Sequence, residues 1–215
     1  MDGNKGPLNF FGLTPSKSQN ELNDSSPLQF IYHNQTISRS AIDTNNPDLV
    51  MAIGENNTVY VFDNNDEFMN WSATTKYATD VAKLESKRQD ILSYAQANGV
   101  IEQYENTGIL KQDYIDYINT KYPQTANKTN VLTALYDLKN APSGTDFYVI
   151  ILSWPYGTIG KMDNRASSIS GITVVTACYD KTYWSGSRVY VLCAGATINF
   201  SDLGFDNKTS SVLAL

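Results

Sequence analysis

Apolar positions follow two different periods along this chain. Gln29-Phe30-Ile31-Tyr32 and Thr36-Ile37-Ser38 flank the polar His33-Asn34-Gln35. Leu49-Val50-Met51-Ala52-Ile53 and Thr58-Val59-Tyr60-Val61-Phe62 likewise flank Gly54-Glu55-Asn56-Asn57. Short β-branched and aromatic runs around turn residues predict two hairpins, whose four strands can share one small sheet. From Phe68 and Trp71 the spacing becomes helical, with Asp63-Asn64-Asn65-Asp66-Glu67 placed to cap the first turn. That acidic run lacks the spaced Gly and terminal Glu of an EF-hand loop, so it reads as a cap rather than a metal site. Tyr77, Val81, Leu84, Ile91, Leu92 and Ala95 predict a long amphipathic helix from Thr75 to Ala97, stopped at Asn98-Gly99. Tyr114, Ile115, Tyr117 and Ile118 predict another from Lys111 to Tyr122, ended by Pro123.

The C-terminal part repeats itself. Asp163-Asn164-Arg165-Ala166-Ser167-Ser168-Ile169 and Asp206-Asn207-Lys208-Thr209-Ser210-Ser211-Val212 match at the first, second, fifth and sixth positions. Aligning outward from them lays Asn130 to Asp137 over Thr173 to Asp180, Gly144 over Gly186 and Tyr148-Val149 over Tyr190-Val191. A repeat of roughly 40 residues decides architecture before any other feature. Each copy runs apolar segment, turn, apolar segment, Gly-containing loop, acidic-amide-hydroxyl run, the outline of a four-stranded antiparallel unit. Two units fill a small β-sandwich.

Tyr179-Asp180-Lys181-Thr182-Tyr183-Trp184-Ser185-Gly186 resembles the aromatic, four spacers, aromatic, spacer, Gly signature of the βγ-crystallin Greek key. The two Asp-Asn-x-x-Ser-Ser runs resemble that family's calcium motif. The first copy keeps Tyr136 and Gly144 but carries Ala141-Pro142 where the aromatic residue belongs. The fold class that follows is an α+β N-terminal module joined to an all-β C-terminal Greek-key β-sandwich of two βγ-crystallin-like motifs. Residues 1–26 are expected to be a flexible tail, whose cluster of Leu8, Phe10, Phe11 and Leu13 is available for docking. Residues 27–128 form the α+β module and 129–215 the crystallin-like domain.

The resemblance implies two Ca2+ ions, each bridged between repeats. One would take Arg165 and Ser167 with Asn207 or Asp206, the other Lys208 and Ser210 with Asn164 or Asp163. In the family the residue at the Arg165 and Lys208 positions gives its main-chain carbonyl, so a basic side chain can swing away. Asp137 and Asp180 are the hairpin candidates, while Ser168 and Ser211 are assigned to holding the hairpins. Calcium is a hard ion that takes six to eight oxygens at flexible angles, and such turns concentrate oxygens. Asp, Asn and Ser also make plain turns, which is the alternative.

Composition narrows the partners. Formal net charge is −6, with 22 acidic and 16 scattered basic residues; the absence of a basic face argues against nucleic acid. No run approaches the length of a spanning helix, and the first residues lack a signal-peptide core. A secreted or envelope protein whose leader lies outside this sequence is expected. The two cysteines, Cys178 and Cys193, fall at interior positions and fit either a cross-strand disulfide or two buried thiols. Nothing resembles an enzyme: His33 is the lone histidine, in a turn, and no nucleophile-base spacing or phosphate loop stands out. The expectation is a monomeric, non-enzymatic calcium-binding protein. The alternative is a protease inhibitor presenting Ser153-Trp154-Pro155-Tyr156-Gly157, or a module binding an extracellular protein or glycan through exposed Trp and Tyr.

Overall fold

A strand apolar at every position, such as Val50-Met51-Ala52-Ile53, has no solvent face, so its sheet must be covered on both sides. The chain does this with three layers in the computed structural model, which describes residues 27–122, 132–139, 147–151, 157–159, 163–170, 175–192 and 197–215. The strands are β1 (Gln29–Tyr32), β2 (Gln35–Ile37), β3 (Val50–Ile53), β4 (Thr58–Phe62), β5 (Leu132–Tyr136), β6 (Phe147–Ile151), β7 (Ser168–Ser170), β8 (Thr176–Tyr179), β9 (Arg188–Val191), β10 (Ile198–Asn199) and β11 (Ser211–Ala214). The helices are α1 (Asn65–Ser72), α2 (Ala78–Ala97), α3 (Val100–Thr107), α4 (Gln112–Lys121) and the single-turn α5 (Phe200–Leu203).

Both predicted hairpins form. His33 and Asn34, with φ of 46° and 62°, make the tight turn between β1 and β2, while Asn56 and Asn57 are left-handed between β3 and β4. The four strands do adjoin, but they are not a sheet of their own. β3 runs parallel to β9 with Met51 opposite Val189 and Ile53 opposite Val191. One mixed seven-stranded sheet therefore has the order β11-β8-β9-β3-β4-β1-β2, and a four-stranded sheet has the order β10-β7-β5-β6. Residues 27–128 thus share a sheet with residues from 129–215. β10 belongs to the second repeat by sequence yet pairs with β7 of the first. Segment 157–159 of the first repeat answers it, with Ile159 N–H donating to the Ser210 carbonyl at 3.1 Å beside β11.

Alternation splits the large sheet into two cores. Met51, Ile53, Val59, Val61, Cys178, Val189, Val191 and Val212 face Leu135, Ile169, Ile198 and Phe200 of the layer behind. Val50, Ala52, Phe62, Ala177, Tyr179, Tyr190 and Leu213 face Phe68, Val81, Leu84, Ile91 and Ala95 of the helices. Cys178 is a free, buried thiol opposite Val189 and Val212, which leaves the disulfide reading without support from its side. Cys193 lies outside the described residues.

The helices follow their sequence signals. Asn64 accepts the Glu67 N–H at 3.0 Å as the N-cap of α1. α2 ends before Gly99, whose φ of +59° is left-handed. Helix α3 was not anticipated: two turns between glycines, burying only Val100, give too short a pattern to read. The helical tyrosines mostly pack and bond locally, Tyr117 and Tyr122 both donating to Asp90 Oδ2, at 2.7 and 2.8 Å. Under α2, Glu85 takes the Arg88 Nε–H at 2.9 Å and the Tyr190 hydroxyl, fastening helix to sheet.

Lys87 donates to the Ala214 carbonyl at 3.0 Å, and burial pushes its ammonium down from 10.5 to about 8. The unfolded chain therefore binds more protons between those pH values, so this group's contribution to stability rises with pH across that window. Lys87→Met should be more stable than the parent at pH 7 by about 2 kcal/mol, the desolvation cost outweighing one lost hydrogen bond. The advantage should shrink from pH 8 to 10, as read by denaturant titration at each pH.

Candidate metal centre

The two acidic-amide-hydroxyl runs meet, and each completes the other. Asn164 N–H donates to the Thr209 carbonyl at 3.0 Å, and Asn207 N–H to the Ala166 carbonyl at 3.1 Å. Ser167 Oγ donates to Asn207 Oδ1 at 3.3 Å, and Ser210 Oγ to Asn164 Oδ1 at 3.5 Å. Asn164 and Asn207 hold φ of 54° and 55°, a left-handed conformation that Asn tolerates better than most residues. The duplicated turns are thus related by an approximate twofold exchange of the same bonds.

Strand ends hold the turns in place. Ser167 N–H donates to the Tyr136 carbonyl and Ser210 N–H to the Tyr179 carbonyl, both at 2.8 Å. Ser168 and Ser211 do the task assigned to them, their hydroxyls donating at 2.6 Å to the carbonyls of Leu138 and Lys181. Ser211 Oγ also accepts the Trp184 N–H at 3.0 Å, and the indole N–H of Trp184 reaches the Val212 carbonyl at 3.2 Å. The second hairpin is a tight turn with Tyr183 and Trp184 at positive φ and Gly186 at +78°. A Cβ on Gly186 would lie 1.9 Å from Asp180 Oδ1, so both backbone and space require glycine. Gly144 and Ala141-Pro142 of the first hairpin lie outside the described residues. Burial raises the hydroxyl pKa of both repeat tyrosines, Tyr136 and Tyr179.

The remaining expected site residues fall around this exchange. Lys208 turns away, its Nζ donating to the Thr44 carbonyl at 3.0 Å, while Arg165 Nη2 reaches Oδ2 of Asp137, another of the expected site residues, at 2.5 Å. Asp180 stays with its own hairpin, Oδ2 accepting from Ser187 at 2.8 Å. Asp163 is exposed and Asp206 half-buried. Asp180 Oδ1 and Asp206 Oδ1 are shielded from solvent without a hydrogen-bond partner. A shielded carboxylate oxygen with nothing to bond calls for a water, an ion or another explanation.

This donor set fits a hard cation. Ligand oxygens sit ~2.4 Å from calcium, so any two oxygens closer than about twice that can share one ion. The Ser167–Asn207 and Ser210–Asn164 oxygen pairs are within that limit. Hydroxyl, amide and carboxylate oxygens, without nitrogen or sulfur, suit calcium better than a transition metal.

A second cluster escaped the sequence. Ligand atoms of His33, Asp63 and Glu67 lie within 4.8 Å of one another. Two of its members already hold other partners: Tyr32 donates to Asp63 Oδ2 at 2.8 Å, and Glu67 Oε2 accepts the Asp63 N–H at 3.2 Å. No spacing rule connects His33 to Glu67; the parallel pairing of β1 with β4 does. Of the loop considered for protease inhibition, only Gly157 is described, and it is buried, its carbonyl accepting the Tyr183 N–H at 2.6 Å.

No family model and no curated protein matches the sequence. Among solved structures, the crystal structure of a betagamma-crystallin from an archaeon is similar to 40% of this chain and 100% of its own, with 16% identity and a TM-score of 0.34. No helix among the described residues is long and apolar enough to cross a membrane.

Ser211 tests the scaffold beneath the turns. Ser211→Ala strips the buried Trp184 N–H and Lys181 carbonyl of their shared partner, and should cost about 2 kcal/mol. A thermal melt should fall by roughly 4–8 °C.

Proposed function

We propose that this chain is a non-enzymatic calcium-binding protein whose residues 129–215 form a βγ-crystallin-type Greek-key sandwich, with two Ca2+ ions bridging its repeats and stabilising it. The observation that carries this reading is the reciprocal Ser167–Asn207 and Ser210–Asn164 pairing across the duplicated turns. The exchange of β10 into the first repeat's sheet, answered by 157–159 beside β11, supports the Greek-key part.

One ion would be held by the Arg165 carbonyl, Ser167 Oγ and a side-chain oxygen of Asn207 or Asp206. The other would use the Lys208 carbonyl, Ser210 Oγ and Asn164 or Asp163, with the Asp137 and Asp180 turns as hairpin donors. Bound calcium would supply a positive charge that ties two loops whose side-chain link is a pair of long, neutral hydrogen bonds beside two backbone ones. The Lys208 side chain is already directed away, to the Thr44 carbonyl, whereas Arg165 stays on the Asp137 carboxylate and neutralises it.

With few carboxylates per ion, affinity is expected in the range ~10⁻⁶ to 10⁻³ M. Such sites fill where calcium is millimolar, which favours a secreted or envelope location over the cytosol. Binding only to the folded form adds about 2.7 kcal/mol per site at a hundredfold excess over Kd.

Titration calorimetry on chelated protein should show calcium heat, and millimolar calcium should raise the melting temperature by several degrees. The Ser167→Arg, Ser210→Arg double variant should lose both responses. Absence of heat and of any thermal shift in the parent would overturn the reading.

A further inference from the structure

The helix-facing side of the large sheet is left partly open at β4 and β1. There a cleft of about 310 Å³ is floored by Ile31, Tyr60 and Trp71 and edged by Asn34, Glu67 and Asn70. Its volume lies at the small end of ligand pockets, enough for one ring rather than a chain. Tyr60 and Trp71 are half-buried, their ring centroids 4.6 Å apart and their planes inclined at 37°, and Phe62 backs Trp71 at 5.2 Å. Trp71 therefore stacks obliquely over Tyr60 rather than beside it, and the aromatic stack is part open to solvent.

The edge is polar in a particular way. Among the described residues, no hydrogen bond engages the side-chain amides of Asn34 and Asn70 or the Trp71 indole N–H. Asn34 sits at φ 62° in the two-residue turn, which fixes its backbone at the cleft mouth. Glu67 keeps one carboxylate oxygen for bonding to the Asp63 N–H, leaving the other as an acceptor. Two amides supply donors and acceptors together, the carboxylate accepts, and the indole donates.

We propose that this cleft binds the ring of a neutral hexopyranose, its C–H face laid on Trp71 and its hydroxyls exchanging hydrogen bonds with Asn34, Asn70 and Glu67. A sugar ring presents apolar C–H groups on one face and alternating donors and acceptors around its rim, which is the complement of an aromatic floor edged by amides. A purely apolar ligand would leave the amides unpaired, and a compact anion would face Glu67. This site is independent of the calcium reading, because none of its residues belongs to the duplicated turns.

Saturation-transfer NMR on the full chain, with methyl β-glucoside, methyl β-galactoside and N-acetylglucosamine as free probes, tests this directly. At least one should receive saturation at its ring C–H protons with millimolar affinity, unchanged by EDTA. The Asn34→Gly, Asn70→Ala double variant removes two exposed, unbonded amides while keeping the left-handed turn, so it should melt close to the parent and bind at least about tenfold more weakly. Trp71→Leu keeps apolar bulk but removes the flat face, and should also lose at least about tenfold. Saturation of none of the three sugars would overturn the proposal. So would binding that the double variant leaves intact, or binding that appears only when zinc or calcium is added, which would mark His33, Asp63 and Glu67 as a cation site instead.

Discussion

The C-terminal half depends on an exchange between two copies of one turn. Each copy gives an amide oxygen to the other's serine and a backbone N–H to the other's carbonyl. Neither copy can satisfy its own groups, so the repeats specify each other. The long Ser–Asn bonds are the soft part of this lock, since 3.3 and 3.5 Å lie at or beyond the usual hydrogen-bond range. A bound cation would replace that weak pairing with shared coordination.

The same lock is tied to the N-terminal half. Lys208, next to Asn207, bonds to the Thr44 carbonyl, and a Cβ on Gly204 would strike Thr44 and Arg39. Behind the turns, β3 completes the sheet of the second repeat and α2 covers its outer face through Glu85, Arg88 and Tyr190. Tyr104 of α3 reaches the first repeat, donating to Thr158 Oγ1 at 3.0 Å. The second turn leads into β11, an edge of the sheet that the second repeat shares with the N-terminal strands. The two turns are also unequal in their surroundings, since Arg165 pairs with the Asp137 carboxylate of its own repeat while Lys208 reaches a neighbouring loop.

Local chemistry was readable from the residues alone. Turn asparagines gave the hairpins, Asn64 the start of α1 and Asn98-Gly99 the end of α2, because each rests on bonds within a few residues. The duplication put Ser168 and Ser211 on hairpin carbonyls, since repeated spacing carries repeated geometry. What stayed hidden is non-local. The parallel union of β3 with β9 joins residues more than a hundred positions apart, and parallel pairs leave no turn signature. The run Val50 to Ile53 reads as one strand of a hairpin in a small sheet; nothing in it names β9 as its other neighbour or the helices as its cover. The gathering of His33, Asp63 and Glu67, and the open cleft beside them, follow from β1 lying against β4 and appear in no spacing.

Counting ions on the intact chain bears most directly on the reciprocal turns. Native mass spectrometry during a calcium titration should register two ions per chain. The Asn164→Gly, Asn207→Gly variant, which keeps the left-handed backbone but removes both shared amide oxygens, should register none at the same calcium concentration while retaining the parent's circular dichroism. A parent that takes up no calcium, or a variant that takes up as much as the parent, would contradict the account.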